Sequence, residues 1–551
     1  MDDNVKKLDD SEEFLMESAE KRFERGDYFG ALKILNRRAE KYDPSADACA
    51  LYADIYEALG LFSLCADAWY RFLDTCNEAD FPEGYEGLAN AFMNMGDEFQ
   101  ANLYAHRIFG SGEGDGISLE ELFQMREQGA HLRLVHSADG MDGDELLRDG
   151  IENLREGDLE GARAAFSEIS PTSRNYASAT GLNAMCMLLG GDVEGAAGEC
   201  EKLIAHQPNN VQALTTYCAV LGAMGRHEEA REIGLRLAKI QTDSTEDLFR
   251  IATALCETGL DEDAYQKLTI VKERLPFSDE ILFFHAVASY HTGRLEDAIS
   301  SLETLTLINP RKAVARYYLE RMRQNRDNPE DVISIGYFYR LPDEEYKFIR
   351  EFFLKILSME NGEAEIYSHL MASFENFRLA FDQLDGRDEE LQVLSARAAV
   401  KCRYDKFVRE ILLDGNVNSD IKVLVLHELV LRNEENSFGV VLCNYYREFF
   451  THELNIGYKH REAYLNAFAE VYAKYYLLNE AFEEKIVNAA EDVYCTLEEL
   501  DVTELAEAKN EMALVIFREA RLHNVRRPIE ELAELFEADV KTAKHILDYI
   551  M

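Results

Sequence analysis

Thirteen histidines and ten cysteines are the side chains of this 551-residue chain best suited to ligate zinc. Cys443, His452 and His460 form the closest set, and their spacing fits no zinc pattern, in which paired ligands stand only a few residues apart. The cysteines at 49, 65, 76, 186, 200, 218, 256, 402, 443 and 495 include no CxxC and no closely spaced pair. That excludes a zinc ribbon or disulfide framework and predicts buried, reduced thiols. GSGEGDG from Gly110 is glycine-rich enough to approach a phosphate, yet Glu113 and Asp115 would repel it and no strand precedes it. DGMDGDE from Asp139 carries calcium-friendly carboxylates without the ligand order or closing bidentate Glu of an EF-hand. With 104 acidic residues in the chain, a pair of acids can be found at any spacing, so such pairs carry no catalytic information. HExxH, GxSxG and GxxxxGK[ST] do not occur. The expectation is a protein that is not an enzyme and uses no cofactor or metal.

Charge narrows the partners. The formal net charge of −46 repels a bare duplex or an anionic membrane surface at long range. The acidity is uneven, summing to −19 over residues 1–150 but to +1 over 301–350. MDDNVKKLDDSEEF lacks the basic and apolar regions of a secretory signal, and no run of about 18 apolar residues occurs. A cytoplasmic protein without membrane contact is expected. Nine prolines and a single tryptophan, with abundant Leu, Ala and Glu, favour long helices.

Those helices repeat. Gly157, Gly191, Gly225, Gly259 and Gly293 stand 34 residues apart, and five residues after each comes Ala162, Ala196, Ala230, Ala264 or Ala298. Seven residues before each glycine is a small side chain: Gly150, Ala184, Cys218, Ala252 and Ala286. Pro171, Pro208, Pro276 and Pro310 close several units. Apolar residues at helical spacing, such as Ile281, Phe284, Val287 and Ala288, run up to the glycine, which breaks the helix by taking a positive φ. An acidic turn then opens a second helix, whose alanine lets the two backbones approach.

This pattern of small residue, Gly, Ala, large apolar residue and Pro resembles the tetratricopeptide repeat family. The family's helix-start Trp is missing, and its Tyr is replaced by Asn153, Met187 and Leu221. Five units run in register over 144–310, and Gly26 with Ala31, Gly60 with Cys65 and Gly96 with Ala101 mark looser copies in 1–109. The resemblance implies an all-α solenoid of helical hairpins. Residues 110–143 read as a Gly/Asp-rich linker or hinge with one helix, 311–328 as a basic capping helix, and 329–551 as a helical C-terminal region.

A stack of hairpins offers a concave surface lined by the first helix of each unit. Carried over from the family, the groove-facing positions are Leu147, Ile151 and Leu154, then Met185, Leu188 and Leu189. Thr215, Ala219, Phe249 and Thr253 follow, and Phe283, Val287 and Tyr290 complete the set. The cationic clamp with which some members hold acidic chaperone tails has no lysine here. The implied function is an interaction scaffold that binds an apolar or amphipathic protein or peptide segment, unless the groove positions pack on the chain itself.

Arg311, Lys312, Arg316, Arg321, Arg323 and Arg326 make the one clearly basic helix, read as a charged cap on the solenoid or as a contact for an acidic partner or RNA. Asp388 to Asn433 looks similar to a HEAT-like helix pair. Residues 526–551 resemble a helix-turn-helix, with Pro528 at a helix start and Lys541, Thr542, Lys544 and His545 on the second helix. Glu537 stands where the usual turn glycine would be. The alternative function is therefore a repeat-containing regulator that touches DNA through this hairpin; a terminal cap is the other reading.

Overall fold

A computed structural model describes residues 11–97, 144–155, 159–169, 175–327, 333–370, 374–382, 389–432, 437–442, 444–450, 480–521 and 538–550, with single positions between these stretches. The expected linker of 110–143, with its two glycine-rich acidic runs, lies outside the described residues, as do Gly157, Pro171, Cys443, His452, His460 and Pro528. The chain forms two compact units, one of residues 134–342 and the other joining 1–133 to 343–551. The N-terminal hairpins thus share a unit with the C-terminal helices, a pairing that reading along the sequence does not suggest.

In the discontinuous unit, α1 (Glu12–Phe23) pairs with α2 (Tyr28–Ala39) and α3 (Ala46–Ala58) with α4 (Phe62–Thr75), and α5 (Phe81–Met95) packs on α4. The other unit repeats this hairpin. It comprises α6 (Asp144–Arg155), α7 (Leu159–Glu168), α8 (Tyr176–Leu189), α9 (Val193–His206), α10 (Val211–Ala223), α11 (His227–Ala238), α12 (Thr245–Glu257), α13 (Asp261–Arg274), α14 (Asp279–His291), α15 (Leu295–Ile308) and α16 (Ala313–Asp327).

The punctuation is physical. Gly26, Gly60, Gly96, Gly191, Gly225, Gly259 and Gly293 all have φ between 66° and 82°. At Gly293 the amide bonds to Tyr290 O at 3.0 Å and the next amide, of Arg294, reaches back to Ser289 O at 2.7 Å, closing the last carbonyls of α14. A side chain at that φ would be strained. The next helix is capped where the sequence allows it: Asp192 accepts from the Gly195 amide and Asn210 from the Ala213 amide. Ala162, Ala196, Ala230, Ala264 and Ala298 are buried at the helix crossings, as are Gly150, Ala184, Cys218, Ala252 and Ala286. A Cβ on Gly150 would run into the Phe166 ring, so with that ring in place glycine suits the crossing of α6 and α7.

Leu214, Leu221, Ile251, Leu255 and Leu268 form the core between successive hairpins. Burying each stabilises the stack by about 1.5–3 kcal/mol.

From Asp343 the helices continue as α17 (Asp343–Ser358), α18 (Asn361–Leu370), α19 (Phe374–Phe381), α20 (Glu389–Lys401), α21 (Asp405–Leu413) and α22 (Ser419–Leu431). Phe352, Phe353, Phe377, Tyr404 and Phe407 fill their centre ring against ring. The stretch resembling a HEAT-like pair is three helices, α20 to α22. The region read as helical then departs from helix: β1 (Ser437–Leu442) and β2 (Tyr445–Phe450) form an antiparallel hairpin, with Ser437 opposite Phe450 and Leu442 opposite Tyr445. Helices α23 (Glu480–Glu499), α24 (Lys509–Glu519) and α25 (Val540–Ile550) end the chain. Among the described residues seven cysteines are buried free thiols, while Cys76 is half-buried and Cys495 exposed. Among the same residues no helix is long and apolar enough to cross a membrane, and no group of side chains could hold a metal ion.

Candidate functional site

The first-helix face of unit 134–342 is not uniform along its length. Leu147, Ile151 and Leu154 on α6 are half-buried against Ala162, Phe166 and Cys186. Leu188 packs with Val193 on the hairpin core, whereas Met185 and Leu189 of the same helix α8 are 37% and 63% exposed. Thr215, Ala219, Phe249 and Thr253 are half-buried; the Thr215 hydroxyl is bonded to the Val211 carbonyl, and Phe249 packs edge-on to Phe284. At the other end of the row Phe283 and Val287 are fully covered.

The cover is the chain itself. Ile333 to Leu341 has no helix or ladder, and its side chains alternate, with Ile333, Ile335 and Leu341 buried and Ser334, Gly336, Phe338 and Arg340 exposed. The Tyr290 hydroxyl accepts the Ile333 amide at 2.9 Å, and His291 Nε2 reaches Ile335 O at 2.9 Å. Tyr337 stacks on Phe284 with ring centroids 5.7 Å apart and donates its hydroxyl to Asp261 Oδ1 at 2.6 Å. Burial first, then the Cys256 thiol and the Asp261 carboxylate beside it, push the Tyr337 phenol far above its ordinary range. Tyr339 stands edge-on to Phe283 at 4.8 Å, and its hydroxyl accepts the Ala315 amide. Phe283 and Tyr290, placed in the groove from the sequence, thus meet this segment. Sequence reading missed the segment, although the alternation Ile-Ser-Ile-Gly-Tyr-Phe-Tyr-Arg-Leu is visible in it.

The basic helix α16 faces acids of its own unit. Lys312 pairs with Asp279 at 3.3 Å, Arg323 with Glu303 at 2.7 Å and Arg326 with Glu296 at 3.9 Å, while Arg316 bonds to Pro310 O. Arg311 and Arg321 also have partners. In α25, Ala543, Ile546 and Leu547 are buried and Lys541, Lys544 and His545 exposed, while Thr542 is engaged by Asp539, which accepts both its amide and its hydroxyl. The helix packs on α24 and α23, and Phe536 tilts against Phe517 at 5.4 Å.

In the other unit the hairpin of β1 and β2 lies against α4, Tyr104 and Arg107. Tyr70 and Tyr104 both donate to Asn444 O, at 2.8 and 2.6 Å, and the Tyr104 oxygen accepts the Tyr446 amide. Asp74 accepts the Gly439 amide at 3.0 Å beside Arg409. Burial pushes the Asp74 carboxyl above its ordinary range, against the pull of that guanidinium and amide. A Cβ on Gly439 would crowd the Asp74 carboxylate and the Tyr446 ring, so any larger residue must push them aside. Asp67 likewise accepts the Gly415 amide, at 3.1 Å.

Three solved structures are similar to parts of the chain. The MamA protein of AMB-1 is 16% identical over 31% of this chain and 100% of its own, with a TM-score of 0.24. MamA from residue 41 onward, of Desulfovibrio magneticus RS-1, is 16% identical over 33% of this chain and 98% of its own, at 0.22. A tetratricopeptide repeat protein from Parabacteroides merdae is 14% identical over 54% and 100%, at 0.29. No family model matches the chain, and no curated protein matches its sequence. The 34-residue spacing, the left-handed glycines at 191, 225, 259 and 293 among the described residues and the buried small residue in each second helix give the chain a tetratricopeptide-like helical repeat fold.

Proposed function

We propose that this chain is a non-enzymatic interaction scaffold that binds an apolar or amphipathic segment of a protein partner along the first-helix face of residues 144–310. One observation supports it above the others: this face already holds a chain segment without secondary structure, residues 333–341, by apolar side chains and a few hydrogen bonds. Met185 and Leu189 offer uncovered apolar surface on the same row of helices. Flanking cations of the partner would meet the acidic surface of the chain, which adds rate and selectivity more than affinity. The basic helix α16 serves as a cap, a reading supported by the pairing of Arg323, Arg326 and the preceding Lys312 with acids of the same unit.

Substituting Met185→Asp and Leu189→Asp together, followed by affinity capture from a lysate and circular dichroism, tests the reading. Loss of captured proteins with unchanged helicity is expected. An unchanged captured set refutes the groove. DNA contact through the C-terminal hairpin, the second reading, predicts a mobility shift of genomic fragments by the full chain at moderate salt, and no shift is expected.

A further inference from the structure

We infer that the last hairpins of unit 134–342 form a tyrosine-reading peptide site, which the chain fills with its own residues 333–341. A partner reaches that site by displacing them with an extended segment of the same alternating apolar and aromatic pattern. The inference rests on the scaffold reading above and names the class of partner.

The site is built from α12 to α14. The Tyr337 ring packs on the core cluster that includes Cys256, stacks on Phe284 and meets the edge of His291 at 5.5 Å. At the end of that slot stands Asp261, whose carboxylate accepts the phenol at 2.6 Å and lies 3.3 Å from His291 Nδ1. A carboxylate at the end of an aromatic slot favours a hydroxyl-bearing ring, because phenylalanine would take the same volume and forfeit the short bond to Asp261, leaving it His291 and water. Hydrogen bonds to charged groups carry enough free energy to make this discrimination roughly tenfold or more.

The contacts that hold the rest of the segment are replaceable in kind. The Ile333 amide and the Ile335 carbonyl are met by side chains of α14, and among the described residues no strand pairs with them. Any extended segment offers the same amide and carbonyl at that spacing. The outward face, with Phe338 74% exposed, contributes nothing to the hold. A tethered segment competes at an effective concentration on the order of millimolar, so a partner must out-compete it or find it weakened.

The probe is a fluorescein-labelled peptide of sequence ISIGYFYRLP, identical to residues 333–342, titrated by anisotropy against the full chain. Tyr337→Phe, which keeps the ring and removes only the hydroxyl, should bind the probe at least tenfold more tightly than the unaltered chain. A probe with Phe at its fifth position should lose about that factor on the Y337F chain. In the unaltered chain, excess unlabelled peptide should accelerate hydrogen exchange at the Ile333 amide. That measurement decides the matter even if Y337F fails to fold. Equal probe affinity for both chains, binding to neither, or unchanged exchange at Ile333 would overturn the inference. If instead capture is insensitive to Met185→Asp and Leu189→Asp while the peptide experiment succeeds, the scaffold reading fails and the tyrosine site stands.

Discussion

Both units lay a non-helical piece of the chain against their helical hairpins, but they do so by different physics. The β1–β2 hairpin satisfies its own backbone through a ladder, and it is then fixed at the turn and along one strand by Tyr70, Tyr104 and Asp74, with Phe438, Val440, Val441 and Leu442 buried. Residues 333–341 have no ladder; side chains of α13 and α14, with the Tyr318 hydroxyl and the Ala315 amide of α16, hold them while every second residue faces outward. A segment that completes its own hydrogen bonds and buries one strand on both faces, as β1 does, becomes core. One that borrows its partners from helices and buries one face behaves as a ligand on a tether.

Phe438→Ala gives the largest effect expected from this contrast. The side chain is 2% exposed and lies under the Arg409 guanidinium at 4.7 Å, so truncation leaves a cavity costing about 3–5 kcal/mol. Denaturant unfolding followed by hydrogen exchange should place the whole loss in the unit of 1–133 and 343–551. A loss below about 1 kcal/mol would mean that the hairpin is no more integral than residues 333–341.

The two segments also differ from the repeats in how far the sequence displays them. Repeats are legible because each needs one residue type at one place: a glycine where φ is positive, and a small residue where backbones cross, as Ala264 and Ala298 do. Residues 437–442 were hidden because burial on both faces of β1 removes the alternation that marks a strand. Phe-Gly-Val-Val-Leu then reads equally well as buried helix. Its remaining signal was Gly439, whose lack of a side chain suits Asp74, hundreds of residues away in sequence. Register selects Phe283 and Tyr290 for the first-helix face, but it says nothing of what covers them. What covers them comes from beyond the repeat, so only the folded chain shows Phe283 buried and Leu189 open.

Acid should weaken the repeat unit through His285, which sits between Ser301 Oγ at 2.9 Å and Lys272 Nζ at 3.4 Å, with Thr269, Ser289 and the Tyr265 ring around it. Burial, then the Lys272 charge, lowers its pKa to about 4 from an ordinary 6.5. The folded state therefore binds fewer protons than the unfolded state between those values. The stabilisation is whole above pH 6.5 and is lost as pH falls towards 4, by about 3 kcal/mol at most. Unfolding of residues 134–342 followed against pH should show that slope, and His285→Gln should flatten it. A slope unchanged by the substitution would assign the acid sensitivity elsewhere.

A smaller effect should be the same in both units. Gly60 and Gly293 have φ of 71° and 77°, and nothing lies within 4 Å of where an added methyl would stand, so alanine meets only conformational strain. Each substitution should cost about 1–2 kcal/mol, measured by unit-resolved hydrogen exchange. Unequal costs would show that the hairpins are not the shared element against which the two segments are compared.

The smallest effect is the counterpart of the first. Phe338 lies one residue from Tyr337, yet it is 74% exposed, and the Arg340 guanidinium lies 5.7 Å from its ring centroid. Phe338→Ala therefore removes little buried area, and the stability of unit 134–342 should change by no more than about 0.5 kcal/mol. Affinity for the ISIGYFYRLP probe should also stay within about twofold, because the outward face of the tethered segment takes no part in the hold. If the substitution instead costs as much as Phe438→Ala, residues 333–341 are core in the same sense as the β-hairpin. The contrast between a structural strand pair and a tethered ligand would then collapse into a single way of covering helical hairpins.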